Sequence, residues 1–489
     1  MRYRPILALA LLSATVVSAQ QPAQPLGAIT EASVRGHMEF LASDAMNGRG
    51  SGTRDEWIAT EYIAAQLRRW GLEPLGDGQT FGPADPARPR SFVQTIEMRT
   101  VETTAPPVLT AGSLRLAHGK EMLVQTLGSI AEVRGRFHRY VPGQAVPTGS
   151  IVLMPSAPAA TSPAEMTAAR RDAIMAERTA TLAASVIVVP ETATVRAGWD
   201  AAAAKLPSGP ARAVGLSAMA APRPTRIVAN AASYAALSKL ADGAMMHFAA
   251  DTKWGDTPSY TWNAVGELTG SDDTMARQVI LLSAHLDHVG ARTAKEGEKT
   301  TDLINNGADD DASGTVAVME LARAIAAGPR PKRTIVFAFF GSEERGGHGS
   351  NYFAESPTIT LSRIVANLQF EMIGRPDPKV PAKTLWLTGY ERSNLGAELA
   401  KRGARLVQDP HPDQSFFTRS DNIRFARKGI PAHTVSSFGL HTDYHQPGDE
   451  VWKIDFPHMT EAIRSMLEPI RWLANDTFRP EWAPNGRPR

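Results

Sequence analysis

Three runs are apolar at nearly every position: "RQVILLSAHLDH" from Arg277, "KRTIVFAFFG" from Lys332 and "IVANLQFEMIG" from Ile364. Strands of that kind must be covered on both faces. The first two are separated by "SGTVAVMELARAIAAG", whose apolar spacing is helical. Buried strands alternating with helices predict an α/β fold, a mainly parallel mixed sheet flanked by helices. In such sheets ligands bind beyond the carboxyl ends of the strands. The acidic and histidine clusters of this chain fall there.

The chain has 489 residues, 43% of them apolar, enough for two or three domains. Lysine plus arginine (52) nearly balance aspartate plus glutamate (50). No basic field exists to attract nucleic acid or an anionic membrane, so neither is expected as a partner. Cysteine is absent, so any metal must be held by histidine and carboxylate. Residues 1–19 have the pattern of an export signal, with Arg2 and Arg4, an apolar run and the ending Val17-Ser18-Ala19. A secreted or periplasmic protein follows as the expectation. The leader's apolar run is shorter than the ~18 residues of a membrane span, and no later segment is long and apolar enough.

Between residues 106 and 258 short β-like runs such as "GSIVLMP" and "ASVIVVP" alternate with Ala- and Pro-rich pieces. This reads as an inserted β-rich module, leaving 20–105 and 259–489 as one unit. Its histidines, His118, His138 and His247, are isolated and suit ordinary surface or core roles. Two helices joined by "AMNGRGSGT" are expected before the insert, the second stopping at Gly71.

Five clusters carry possible chemistry. His285 and Asp287 share one face of an extended segment, so Asp287 can brace the ring of His285 while its other nitrogen stays free for a metal. His288 then points elsewhere. Asp309, Asp310 and Asp311 lie in a Gly-flanked loop before a helix and would repel without a cation; helix capping is the alternative. Glu343 and Glu344 are adjacent, so one can bind metal while the other takes a proton from water. Glu371 sits in an apolar strand and needs a partner. His441 and His445 flank a Gly- and Pro-containing loop from which one ligand is expected. Two divalent ions, about 3.5–4 Å apart, could be held by such a set for hydrolysis of an amide.

In order, "HLDH", "GADDDASG", "SEERGGHGS", "NLQFEMIG" and "SDNIRFARKGIPA…DYHQPGDEVWKID" resemble the motifs of the co-catalytic zinc aminopeptidases, a family that includes secreted bacterial leucyl aminopeptidases, aminopeptidase Y, glutamate carboxypeptidase and glutaminyl cyclase. The segment "LASDAMNGRGSGTRDEWIATEYIAAQLRRWGLEPLG" is similar to that family's N-terminal part. The resemblance implies two Zn2+ per chain: His285 and Glu371 on one, Glu344 and His445 on the other, and Asp310 bridging. It implies Glu343 as general base, Asp287 as the partner of His285, and Tyr444 as a donor to the developing oxyanion; a packed tyrosine is the alternative for the last. Glu371 stands where aspartate is common, and "HQP" where His-Thr-Pro is common. The insert takes the place of a protease-associated domain.

The expected function is therefore a zinc exopeptidase acting on peptides, foremost an aminopeptidase. A carboxypeptidase would need cations for a substrate carboxylate, and Arg419, Arg424 and Arg427 lie near the last motif. A glutaminyl cyclase is the other rival within the family. Outside it stands an inactive binding protein, which the intact ligand set opposes. No G-x-S-x-G elbow supports a serine hydrolase.

Overall fold

The three apolar runs lie side by side in a computed structural model of the chain, which describes residues 27–77, 90–156, 172–216 apart from 174, 175, 178 and 182, 223–294 and 301–488. The leader expected at residues 1–19 lies outside them. Among the described residues, ten strands form the large sheet. Its order is Arg212–Ala213, Val93–Arg99, Ser259–Leu268, Thr334–Phe340, Val279–His285, Ile364–Phe370, Ala432–Ser436, Leu385–Leu387 and Leu406–Gln408, and Glu73–Pro74 pairs with Ser259–Leu268. The four strands from Thr334–Phe340 to Ala432–Ser436 are mutually parallel, and the flanking strands pair antiparallel with them.

Side chains alternate across these strands and bury both faces. Ile280, Leu282, Ala284, Ile335, Phe337 and Phe339 pack with helices Glu31–Leu41, Arg54–Arg69, Gly314–Ala326 and Phe456–Asn475. Val279, Leu281, Val336, Ala338 and Phe340 pack on the other side with His348–Glu355 and Asn422–Arg427. Truncating Phe337 or Phe339, both wholly buried, would cost about 3–5 kcal/mol through lost contact and cavity.

From His285 the chain passes through helix Gly314–Ala326 to a strand on one side, Thr334–Phe340, and then to Ile364–Phe370 on the other side of the same central strand. The strand order thus reverses at Val279–His285, and a crevice opens beyond its carboxyl end. The register puts His285 level with Phe340, and Phe370 level with Val435. Residues just after each strand therefore meet over that crevice.

The two early helices form as their spacing predicts. Thr30 and Thr53 cap them through their hydroxyls, and the second stops before Gly71, whose φ of +77° ends it. Among the described residues, eight strands between Val108 and Ala249 make a second sheet, nearly closed, whose end strands approach at the His118–Met122 bridge. It surrounds its own core, with Leu109, Phe137, Ile151, Ile227 and Phe248. Arg212–Ala213, within the same stretch, instead extends the edge of the large sheet. His118 holds Lys205 O and Val124 N, and His247 contacts Glu132, which are ordinary structural partners. No helix among the described residues is long and apolar enough to cross a membrane.

Candidate metal centre

His285 ends its strand with its ring wholly enclosed. Its Nδ1 lies 3.2 Å from the main-chain oxygen of Asp287 and 3.7 Å from that residue's carboxylate. The ring is thus held by the carbonyl, and Nε2 faces the crevice. The Asp287 carboxylate holds the neighbouring turn: Oδ1 accepts the amide of Glu343 at 2.9 Å, and Oδ2 accepts that of Glu344 at 3.4 Å and the Ser51 hydroxyl.

The three successive aspartates have separate tasks, and none is solvated. Asp311 accepts the amides of Gly314, Met372 and His285, which caps the helix and ties the strand ends together. Asp309 accepts Gly374 N and contacts His441 Nε2 at 2.9 Å. Asp310 alone has one oxygen, Oδ1, 3.3 Å from His285 Nε2 and the other, Oδ2, 3.1 Å from His445 Nε2. Glu344 Oε2 lies 3.1 Å from that same His445 nitrogen. Of the histidine pair in the last loop, His445 enters this cluster and His441 anchors the loop to Asp309.

Glu371 begins just past the end of its strand, which stops at Phe370, so it belongs to the crevice rather than the sheet interior. It lines a cavity with Asp310, Glu343, Glu344 and Tyr444. Burial pushes it up to about 7, and burial likewise pushes Glu343 well above the usual carboxylate range. Burial works to lower the His445 imidazole, yet its contacts with Asp310 and Glu344 raise it to about 10. Tyr444 stacks on the His445 ring at 3.9 Å and is raised by burial and the nearby carboxylates.

Asp310 Oδ2, Glu371 Oε2 and His445 Nε2 are buried without a hydrogen-bond partner. Buried polar atoms left without a partner are costly unless something such as a cation satisfies them. The donor set, imidazole nitrogen and carboxylate oxygen, suits Zn2+. One ligand atom each from His288, Asp310, Glu344 and His445 lies within 4.8 Å of all the others. His288 was expected to point away. The strand alternation behind that expectation ends at His285, and the chain then bends to bridge Gly50, which turns the His288 ring inward.

Several supporting residues gave little signal in the sequence. Arg49 is buried and donates to the carbonyls of Leu41, Leu286, Asn306 and Gly307, joining the loops of His285 and Asp310. Asp449 accepts the amides of Asp309 and Asp310. Glu56 accepts Ser342 N, Gly52 N and the Thr261 hydroxyl at 2.7–2.8 Å, fixing the turn before Glu343. An arginine in the Gly-rich connector "NGRGSG" was the one readable hint.

Residues 263–469 match the model of Peptidase family M28. A "Probable zinc metalloprotease" of Pyrenophora teres f. teres (strain 0-1) is 33% identical over 117 residues, 23% of this chain and 22% of that one. "Leucine aminopeptidase 2" of Arthroderma otae is 28% identical over 181 residues, 35% of this chain and 32% of that one. The chain spans about a fifth to a third of the length of these curated relatives. An aminopeptidase from Aneurinibacillus sp. strain AM-1 aligns over 91% of this chain and 94% of its own, at 18% identity and a TM-score of 0.48. Residues 263–469, the part similar to Peptidase family M28, supply every candidate site residue from His285 to His445.

Proposed function

We propose that this chain is an exported two-zinc aminopeptidase. The observation that carries the reading is the position of Asp310, with one carboxylate oxygen toward His285 and the other toward His445. His285, Asp310 and Glu371 would hold one ion, and Asp310, Glu344 and His445 the other. When bound, the pair would polarise the scissile carbonyl and acidify a water.

The rest of the work falls to the chain's own groups. Glu343, raised above the usual carboxylate range by its burial, accepts a proton from the attacking water and returns it to the leaving amine. The phenol of Tyr444 donates to the oxygen that gains charge. Asp287 holds the amide of Glu343, which keeps the base in position. The resulting step releases an N-terminal residue and leaves Glu343 ready for another turnover.

Aminopeptidase action is favoured over carboxypeptidase action by charge. Arg424 donates one N–H to the Gly346 carbonyl and does not line the cavity, and Arg419 lies over the ring of Phe416. Met372, Trp386, Phe416 and Phe438 give the cavity an apolar wall for a substrate side chain. The test is to assay free-amino aminoacyl anilides, N-blocked anilides and glutamate-terminal peptides, each with and without chelator. Chelator-sensitive cleavage of the free-amino substrates is expected; cleavage confined to N-blocked, carboxy-terminal substrates would overturn the reading. Export is tested by sequencing the N-terminus of the mature protein, expected to begin after Ala19.

A further inference from the structure

His288 holds no ligand position in the two-metal reading, on which the following rests. It is nevertheless wholly buried at the crevice. Its main chain is pinned on both sides: His288 N donates to Arg49 O, and Ser51 N donates to His288 O, each at 3.1 Å. Its ring lies against Gly307, where φ is +57° and any Cβ would fall 2.6 Å from the ring's Cγ and Cδ2. The imidazole therefore has one place to be.

From there Nδ1 lies 2.9 Å from Glu344 Oε1, a hydrogen-bond distance, and 3.8 Å from Asp310 Oδ2. The two oxygens of Glu344 are thus divided: Oε1 faces His288, and Oε2 faces His445 at 3.1 Å. His288 Nε2 is buried without a hydrogen-bond partner. An unbonded lone pair there is less costly than an unbonded N–H, so the proton belongs on Nδ1, where Glu344 accepts it. That bond removes the carboxylate's freedom to rotate and keeps Oε2 directed at the Asp310–His445 pair.

We propose that His288 is a positioning residue that donates from Nδ1 to Glu344 Oε1 and thereby raises the affinity of the Glu344–His445 metal position. Outer partners of this kind are worth about 10–100-fold in metal affinity. The rival is direct ligation by His288, since its nitrogen also falls within the four-atom group around Asp310.

Zinc titrated calorimetrically into the metal-stripped full chain separates these. Asparagine offers an N–H near the place of Nδ1–H but is a weak zinc ligand, whereas phenylalanine and alanine offer neither donor nor ligand. The expected result is two zinc ions in the wild type, one of the two affinities lowered about 10–100-fold in H288F and H288A, and near-wild-type affinity in H288N. Thermal melts of the metal-free variants identify any that fail to fold, and two apolar replacements of different size keep the comparison available. Equal loss in H288N and H288F would overturn positioning in favour of ligation. Unchanged affinity in folded H288F and H288A would overturn any role. Fewer than two ions in the wild type would instead count against the two-metal reading itself.

Discussion

Asp287 accepts the main-chain amide of Glu343 at 2.9 Å, so the residue that follows one strand sets the geometry of the turn leaving the next. The same carboxylate takes Glu344 N and the Ser51 hydroxyl. In Asp287→Asn one oxygen becomes an NH2 facing donors. Leaving buried donors unpaired costs about 1–3 kcal/mol. The expected outcome is a lower melting temperature together with a kcat at least tenfold below wild type, as Glu343 loses its fixed position. Thermal unfolding and steady-state kinetics on one preparation check both; an unchanged kcat would remove Asp287 from the support of the base.

Glu343→Gln keeps the shape of the side chain and removes its proton-accepting oxygen. Loss of a general base lowers turnover by about 100- to 10,000-fold. Metal content should stay near that of the wild type, because the proposed ligands are His285, Asp310, Glu344, Glu371 and His445. Elemental analysis beside a kinetic assay separates the two effects. Substantial residual activity, or loss of metal in parallel, would assign Glu343 another role.

The large sheet was legible because its central strands are apolar on both faces, a pattern with few solutions. Asp310, Glu344 and His445 were legible as members of clusters at strand ends, and their meeting follows from the register of His285 with Phe340 and of Phe370 with Val435. His288 was misread because alternation along a strand says nothing once the chain leaves the sheet. Arg49 and Glu56 act across about 240 and 290 positions of sequence, through Leu286 O and Ser342 N, and no local pattern records such contacts. Arg212–Ala213 is too short a strand to stand out from the Pro-rich segment around it.

Removing the metal should lower the melting temperature. Ions that bind the folded chain stabilise it by mass action, by about 4 kcal/mol when free metal is 1,000 times its Kd. Chelator-treated protein is expected to melt earlier and to regain its original melting temperature when Zn2+ is restored. An identical melt with and without chelator, in protein verified as metal-free, would contradict a resident metal centre.

His433 gives the fold an acid-sensitive point near the site. It lies wholly buried on strand Ala432–Ser436, with Nδ1 2.8 Å from Thr388 O and Nε2 2.7 Å from the Ser393 hydroxyl. Burial lowers it from 6.5 to about 4. Between those values the unfolded chain binds a proton that the folded chain refuses, so stability is full above 6.5 and falls as pH drops toward 4. The loss is roughly 3 kcal/mol at about 1.4 kcal/mol for each pH unit. Urea unfolding at pH 7, 5.5 and 4.5 should show a shallower decline in His433→Gln than in wild type, whatever the variant's absolute stability. Parallel slopes would exclude His433 as a source of the decline.

Arg419 distinguishes the two exopeptidase readings. It is exposed at the cavity rim with its guanidinium 4.9 Å from the centre of the Phe416 ring. If the enzyme grips a free α-ammonium, this cation touches nothing essential. Arg419→Ala should then leave kcat/KM on aminoacyl anilides within about fivefold, the range of an exposed charge worth up to ~1 kcal/mol. If instead Arg419 binds a substrate carboxylate, the lost charged hydrogen bond is worth about 1.5–3 kcal/mol. That would appear as roughly a 10- to 150-fold rise in KM on glutamate-terminal peptides, with kcat little changed. The two substrates assayed side by side therefore give opposite patterns, and a large KM effect confined to the peptides would displace aminopeptidase action as the main activity.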